Sequence, residues 1–258
     1  MEKIFVIALH GFLGRPSDWD NVIDGIKIYN NGVDSKIVEW IRPDLFNDTK
    51  WGAGGSLDHT YRCIYNQAKI LQEKGRIIIL GYSMGGRLAL GALGLDIDGS
   101  VFSSAILISV NPGLENELEK TKRVESDKVW SDKILKVRNE EGWESFLKEW
   151  NAQAVFDGAN HEPKRLLLDY NLESLANAIS NWSLGLQVNF YDLMLAANIP
   201  ISWIVGERDL KFVNIANRIE RGELSNIDSK FKKIVIEKSC HRVIFDQPNE
   251  LSTHISII

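Results

Sequence analysis

The stretch Leu80-Gly81-Tyr82-Ser83-Met84-Gly85-Gly86-Arg87 decides how this chain folds. The β-branched run "RIIIL" (76–80) enters it and the helix-forming run "RLALGAL" (87–93) leaves it. A serine between them, with glycine two residues before and two after, fits a sharp strand-to-helix turn. Such a turn leaves no room for side chains at those two places and lifts the serine hydroxyl above the end of a sheet. A glycine turn with an idle serine is the plain alternative, and the flanking strand and helix argue against it.

Working outward, further β-branched runs occur at Ile4–Leu9, Lys36–Ile41, Ala105–Val110, Ile199–Val205 and Lys233–Ile236, and all read as strands beside Arg76–Leu80. Between them, 18–26, 57–74, 84–93, 213–221 and 249–257 carry helical patterning. Strand alternating with helix predicts an α/β fold, a mainly parallel central sheet covered by helices on both faces. From 113 to 195 the rhythm breaks, and tryptophan-studded helical patterns such as "EEGWESFLKEW" (140–150) take over. The expected organisation is a core of residues 1–112 and 196–258, with a helical cap, 113–195, inserted after the strand near 105–110. That cap would lie over the strand ends, where open α/β sheets hold their ligands.

Composition narrows the partners. With 258 residues and a net charge of −5, the chain lacks the basic block that nucleic-acid binding requires, so any bound anion must be held by a few local cations. The start "MEKIFVIALHG" reads as a strand and not as a signal peptide, and no apolar run approaches the roughly 20 residues of a membrane span. Cys63 and Cys240 have no metal-ligand or disulfide-framework spacing, so reduced thiols in a cytoplasmic protein are expected. No glycine loop precedes a phosphate-binding lysine, and no His-carboxylate cluster has metal spacing, so neither cofactor nor metal is expected.

A nucleophilic serine in this turn needs an acid and then a histidine later in the chain. His10 and His59 precede Ser83, His161 falls in the insertion and His254 in a terminal helix pattern, which leaves His241, directly after the strand-like "FKKIVIEKSC". Asp209, in "GERDLKF" after the strand "ISWIVG", is the candidate acid, with Glu207 the alternative. Its carboxylate would fix the imidazole tautomer, leaving the other ring nitrogen to take the serine proton. The backbone N–H groups of Met84 and of Phe12, in "HGFLG" after the first strand, are the candidate oxyanion donors. Cys240 as the nucleophile is disfavoured, because neighbouring side chains on an extended segment point apart.

Arg87 lies one turn into the helix, where the dipole disfavours a cation. Either it serves a structural carboxylate or a snorkelling contact, or it grips an anionic substrate beside the serine. In order, "HGFLGRPSDW", "GYSMGGR", "NPGL", "KRVESDKVW", "WNAQAVF", "SLGLQ" and "GERDLKF" resemble the α/β-hydrolase-fold 2-succinyl-6-hydroxy-2,4-cyclohexadiene-1-carboxylate synthases of menaquinone biosynthesis, from His10 to Pro248. The resemblance implies a lyase in which the triad removes a proton from a tricarboxylate and pyruvate leaves. It further implies substrate contacts from Arg87, from Arg123 in "KRVESD", from Arg165 in "PKRLLLDYN", and from Tyr82, Trp150 and Gln187. The sequence departs from the family pattern with Cys240 where glycine is usual before the histidine, Asp246 in place of glutamate, and Asn151 where an aromatic often follows the tryptophan. Two other functions use the same residues: a serine hydrolase acting on a small anionic substrate, and an inactive ligand-binding module.

Overall fold

The computed structural model describes residues 3–29, 38–96, 98–159, 161–196, 198–221 and 230–255. Six strands form one sheet: β1 (Ile4–Leu9), β2 (Val38–Ile41), β3 (Arg76–Tyr82), β4 (Phe102–Ile108), β5 (Ile201–Gly206) and β6 (Phe231–Ile236). Their order is β2-β1-β3-β4-β5-β6, and every neighbouring pair is parallel. Parallel strands require crossovers, and these are made by α1 (Asp20–Tyr29), α2 (Leu57–Gln72) and α3 (Met84–Leu93), followed by four helices between β4 and β5. Those four are α4 (Glu117–Lys136), α5 (Glu140–Asn151), α6 (Leu172–Asn181) and α7 (Tyr191–Ala196). After β5 come α8 (Leu210–Glu220), α9 (Val243–Asp246) and α10 (Pro248–His254).

Alternation along the strands sorts the core into two faces. Ile4, Val6, Ala8, Ile78 and Leu80 bury against Val22 and Ile26 of α1 and Leu251 of α10. Phe5, Ile7, Leu9, Ile77 and Ile79 bury against α2, α3 and α8, and their cluster runs on without a break into Trp143, Phe146, Leu175, Ile179 and Trp182 of the inserted helices. Three of the four inserted helices are started by asparagine caps. Asn116 accepts from Leu118 and Glu119, Asn139 from Gly142, and Asn171 from Ser174.

Several boundaries differ from expectation for local reasons. The fourth strand ends at Ile108 and not at 110, because Ser109 takes φ +51° and leaves the sheet. The helix expected from 18 is a short 3₁₀ turn, Pro16–Trp19, leading into α1. α8 starts three residues early, at Leu210, because the Asp209 carbonyl already accepts from Phe212 and Val213. The expected strand residues 36–37 and helix residues 256–257 lie outside the described residues. The pairing of Leu9 with Gly81 and of Tyr82 with Ile108 brings the loops after β1, β3 and β4 to one edge, with the loops after β5 and β6 beside them.

Candidate active site

The site begins with backbone strain. Ser83 sits at φ +52° and ψ −113°, a conformation that only a tightly held turn sustains in a residue with a side chain. Glycine is required on both sides. A Cβ on Gly81 would lie 2.5 Å from the Cα of Gly86, and one on Gly85 would lie 2.3 Å from the Leu9 carbonyl oxygen and 2.4 Å from that of His10. Gly85 thus lets the first turn of α3 press onto the end of β1. Phe12 and Met84 consequently flank Ser83 in the wall of one cavity.

Ser83 Oγ lies 2.9 Å from Nε2 of His241, and Nδ1 of His241 lies 2.8 Å from Oδ2 of Asp209. The carboxylate can only accept, so Nδ1 carries the proton and Nε2 is free to take one from the serine. The expected triad residues therefore meet in hydrogen-bonding geometry. Glu207, the alternative acid, is engaged elsewhere and accepts from the backbone N–H of Lys238 at 2.9 Å. The Asp209 and His241 loops are joined by Arg208 N–H donating to Ser239 O at 2.9 Å, an approach that a Cβ on Gly206 would block at 2.2 Å from the Cys240 carbonyl. Phe212 packs its ring 4.6 Å from the imidazole.

The cavity over Ser83 measures about 420 Å³ and lies between the strand ends and the inserted helices. Its cations are Arg87, Arg123 and Lys211. Arg87 is buried and donates through Nη1 to the Trp182 carbonyl at 2.9 Å and to Gln187 Oε1 at 3.2 Å. Among the described residues no carboxylate pairs with it. Burial, helped by the nearby Arg123 charge, pushes its guanidinium down to about 10. Arg123 is half-exposed and donates through Nε to the buried Asp127 at 2.8 Å. Partial burial and Arg123 also hold the Lys211 ammonium below its ordinary value.

The other expected contact residues divide. Trp150 lines the cavity, 4.6 Å from the Phe12 ring and 5.0 Å from Trp130. Gln187 stands behind Arg87, held by its Nε2 donating to Pro112 O at 2.9 Å, and orients that guanidinium from outside the wall. Tyr82 lies beneath the imidazole, 5.8 Å away, and faces Phe245 on the side away from the cavity. Arg165 does not reach the cavity. Both its terminal nitrogens are committed at 2.7 Å to the carboxylate of Asp18, a buried bidentate pair, in a separate recess of about 30 Å³. A bidentate pair with a neighbouring loop cannot be read from one sequence, whereas Lys211 could have been noticed two positions after Asp209 in "GERDLKF". Trp130 and Phe156 also line the wall; they end the family-like segments "KRVESDKVW" and "WNAQAVF", but neither had a role of its own in the sequence.

Among the described residues, no group of three His, Cys, Asp or Glu side chains could hold a metal ion, and no helix is long and apolar enough to cross a membrane.

No protein-family model matches the chain. The putative 2-succinyl-6-hydroxy-2,4-cyclohexadiene-1-carboxylate synthase of Haemophilus influenzae is 28% identical over 220 residues, covering 83% of this chain and 84% of that protein. The putative synthase of Bacillus subtilis is 25% identical over 252 residues, covering 94% and 85%. MenH from S. aureus superimposes with a TM-score of 0.76 at 23% identity, covering 98% of this chain and 92% of that one. The chain is an α/β-hydrolase-fold homologue of these synthases. The same α/β-hydrolase architecture, at a TM-score of 0.62 and 16% identity, occurs in a thermophilic esterase from Thermogutta terrifontis, covering 98% of this chain and 88% of that one.

Proposed function

We propose that this protein is the pyruvate-eliminating synthase that forms 2-succinyl-6-hydroxy-2,4-cyclohexadiene-1-carboxylate. The observation that carries the reading is Arg87, a buried guanidinium with no carboxylate partner among the described residues, one helical turn from Ser83. A buried cation without a counter-ion is unfavourable. A carboxylate arriving from solution supplies the missing partner and is held by a planar two-pronged donor.

The geometry supports the following chemistry. His241 takes the Ser83 proton through Nε2, and the serine oxygen becomes the base that removes a C–H proton from the substrate ring. The electron pair of that C–H bond, at the carbon bearing the succinyl ketone, forms a new ring double bond, the existing ring double bond shifts along by one position, and the C–O bond to the pyruvyl group at its far end breaks. Pyruvate leaves in its enol form, and the proton returns through the His241–Ser83 pair. Asp209 holds the imidazole and stabilises its charged form. Arg87, Arg123 and Lys211 fix the substrate carboxylates, and the N–H groups of Phe12 and Met84 face the charge that develops. Residues 113–195 act as the cap that excludes water from this elimination, and the two free thiols accord with a reducing, cytoplasmic setting.

The test is pyruvate release with appearance of the diene chromophore from the tricarboxylate precursor, with Ser83→Ala as control. Release that disappears in Ser83→Ala supports the synthase. Absence of release, together with rapid turnover of a panel of small anionic esters, replaces it by a hydrolase.

A further inference from the structure

The direct contacts of His241 do not account for how its loop is held. The ring is fixed by Ser83 and Asp209, yet the main chain that carries it is a short turn between β6 and α9, with Lys238 at φ +54°. Catalytic groups need placement to roughly 0.5 Å, which requires support behind the contacting side chains.

That support converges on one carboxylate. The side chain of Asp246, at the end of α9, is 0% exposed. One of its oxygens, Oδ2, accepts from the backbone N–H of Cys240 at 3.2 Å and from the Cys240 thiol at 3.2 Å. The other, Oδ1, accepts at 3.2 Å from the backbone N–H of His161, in the segment that follows α5. The contact between Cys240 and Asp246 closes a ring of chain that contains His241. Arg242, the next residue, grips the same inserted segment through the His161 carbonyl at 3.4 Å and the Asn151 side chain. The thiol stays a donor at ordinary pH, because burial pushes it up to about 11.

We infer that Asp246 is a positioning residue for His241, tying the main chain beside the imidazole to the inserted segment at His161. Cys240 then has a defined task, because its thiol gives the buried carboxylate a donor that a glycine could not. A buried carboxylate left short of donors is strongly unfavourable, so these partners act together.

The inference rests on the triad reading and not on the identity of the substrate. A fluorophosphonate that labels Ser83 therefore tests it, since labelling needs the Ser83–His241 pair and no particular substrate. The expected result is that Asp246→Asn slows labelling at least tenfold in protein that remains folded. The amide turns a donor toward groups that already donate. Asp246→Glu, which keeps both acceptor oxygens, is expected to restore most of the rate, and Cys240→Ala to cause a two- to fivefold loss. If Asp246→Asn does not fold, Cys240→Ala and Asp246→Glu decide on their own. A normal labelling rate in Cys240→Ala, or in folded Asp246→Asn with only a lowered melting temperature, overturns the positioning role. Wild-type protein that fails to label overturns the triad reading and this inference with it.

Discussion

Replacing Arg87 by methionine separates an anion-gripping arginine from a structural brace. The substitution keeps a long flexible stem and removes the charge and the fork. The drop of the guanidinium from 12.5 to about 10 corresponds to roughly 3 kcal/mol of unfavourable burial. Its two hydrogen bonds, to Trp182 O and Gln187 Oε1, return a similar amount, at about 1.5 kcal/mol or somewhat more each for a charged donor. The two terms nearly cancel, so the variant is expected to melt within about 4 °C of wild type. Activity is a different matter. Removing one partner of a desolvated charge pair costs about 2–5 kcal/mol, so kcat/KM for the tricarboxylate is expected to fall by about 30-fold to several thousandfold. The assay couples pyruvate release to NADH oxidation and follows the diene absorbance alongside, while a thermal melt reports stability. A kcat/KM within threefold of wild type, combined with a melting temperature lowered by more than about 8 °C, would refute the reasoning and make Arg87 a brace between α3 and the inserted helices.

Four further outcomes are expected. Ser83→Gly abolishes activity yet stabilises the fold by about 1 kcal/mol, raising the melting temperature by roughly 2–4 °C, because φ +52° no longer strains a Cβ. Gly85→Ala places a Cβ against two backbone carbonyls and is expected to give little folded protein, measured as the soluble fraction beside Gly54→Ala, where no heavy atom lies within 4 Å, although its φ of +77° makes that control a strained one. Buried His10 has its pKa lowered, chiefly by burial, and its Nε2 accepts from Leu45 N–H, so folding opposes its protonation. The unfolded ring binds a proton below about 6.5 and the folded ring only at lower pH. Stability therefore falls as pH drops below about 6.5, with a slope of up to about 1.4 kcal/mol per pH unit from this group, and denaturant melts of His10→Gln between pH 7.5 and 5 should show a flatter dependence. Cys240, buried with its thiol pushed up to about 11, should resist iodoacetamide at pH 8 until the protein unfolds, as read by mass spectrometry of the native and denatured protein.

The sheet was legible because its inner strands β1, β3, β4 and β5 are largely buried on both faces and so appear as apolar, β-branched runs, and because glycine at 81 and 85 allows few other turns. The hydrogen-bonded meeting of Ser83, His241 and Asp209 was legible for a related reason: chain order and strand ends left one histidine and two acids to choose between. What separated Asp209 from Glu207 is a backbone contact at Lys238, and no spacing encodes that. Arg165 failed for the opposite reason. Its place in a charged segment, which the structure shows as irregular chain before a 3₁₀ turn, is compatible with a surface, a cavity or a buried pair, and Asp18, 147 positions earlier in the chain, decides among them. Tyr82 and Gln187 sit next to chemistry in the sequence or the family pattern, but the strand's alternation turns one away and Arg87 screens the other.

The way Arg87 is held has a consequence for how this scaffold can be re-engineered or can diverge. By chain position the residue belongs to the core, on the same helix turn as the nucleophile, yet both acceptors that aim it, Trp182 and Gln187, come from the insertion. Swapping the inserted helices for those of another α/β-hydrolase-fold protein would leave the Ser83–His241–Asp209 hydrogen bonds intact and release the arginine to a new direction. The two parts are therefore not independent modules. A graft keeps the guanidinium in its present direction only if it brings its own carbonyl and amide to the same place, so changes in one part constrain the other.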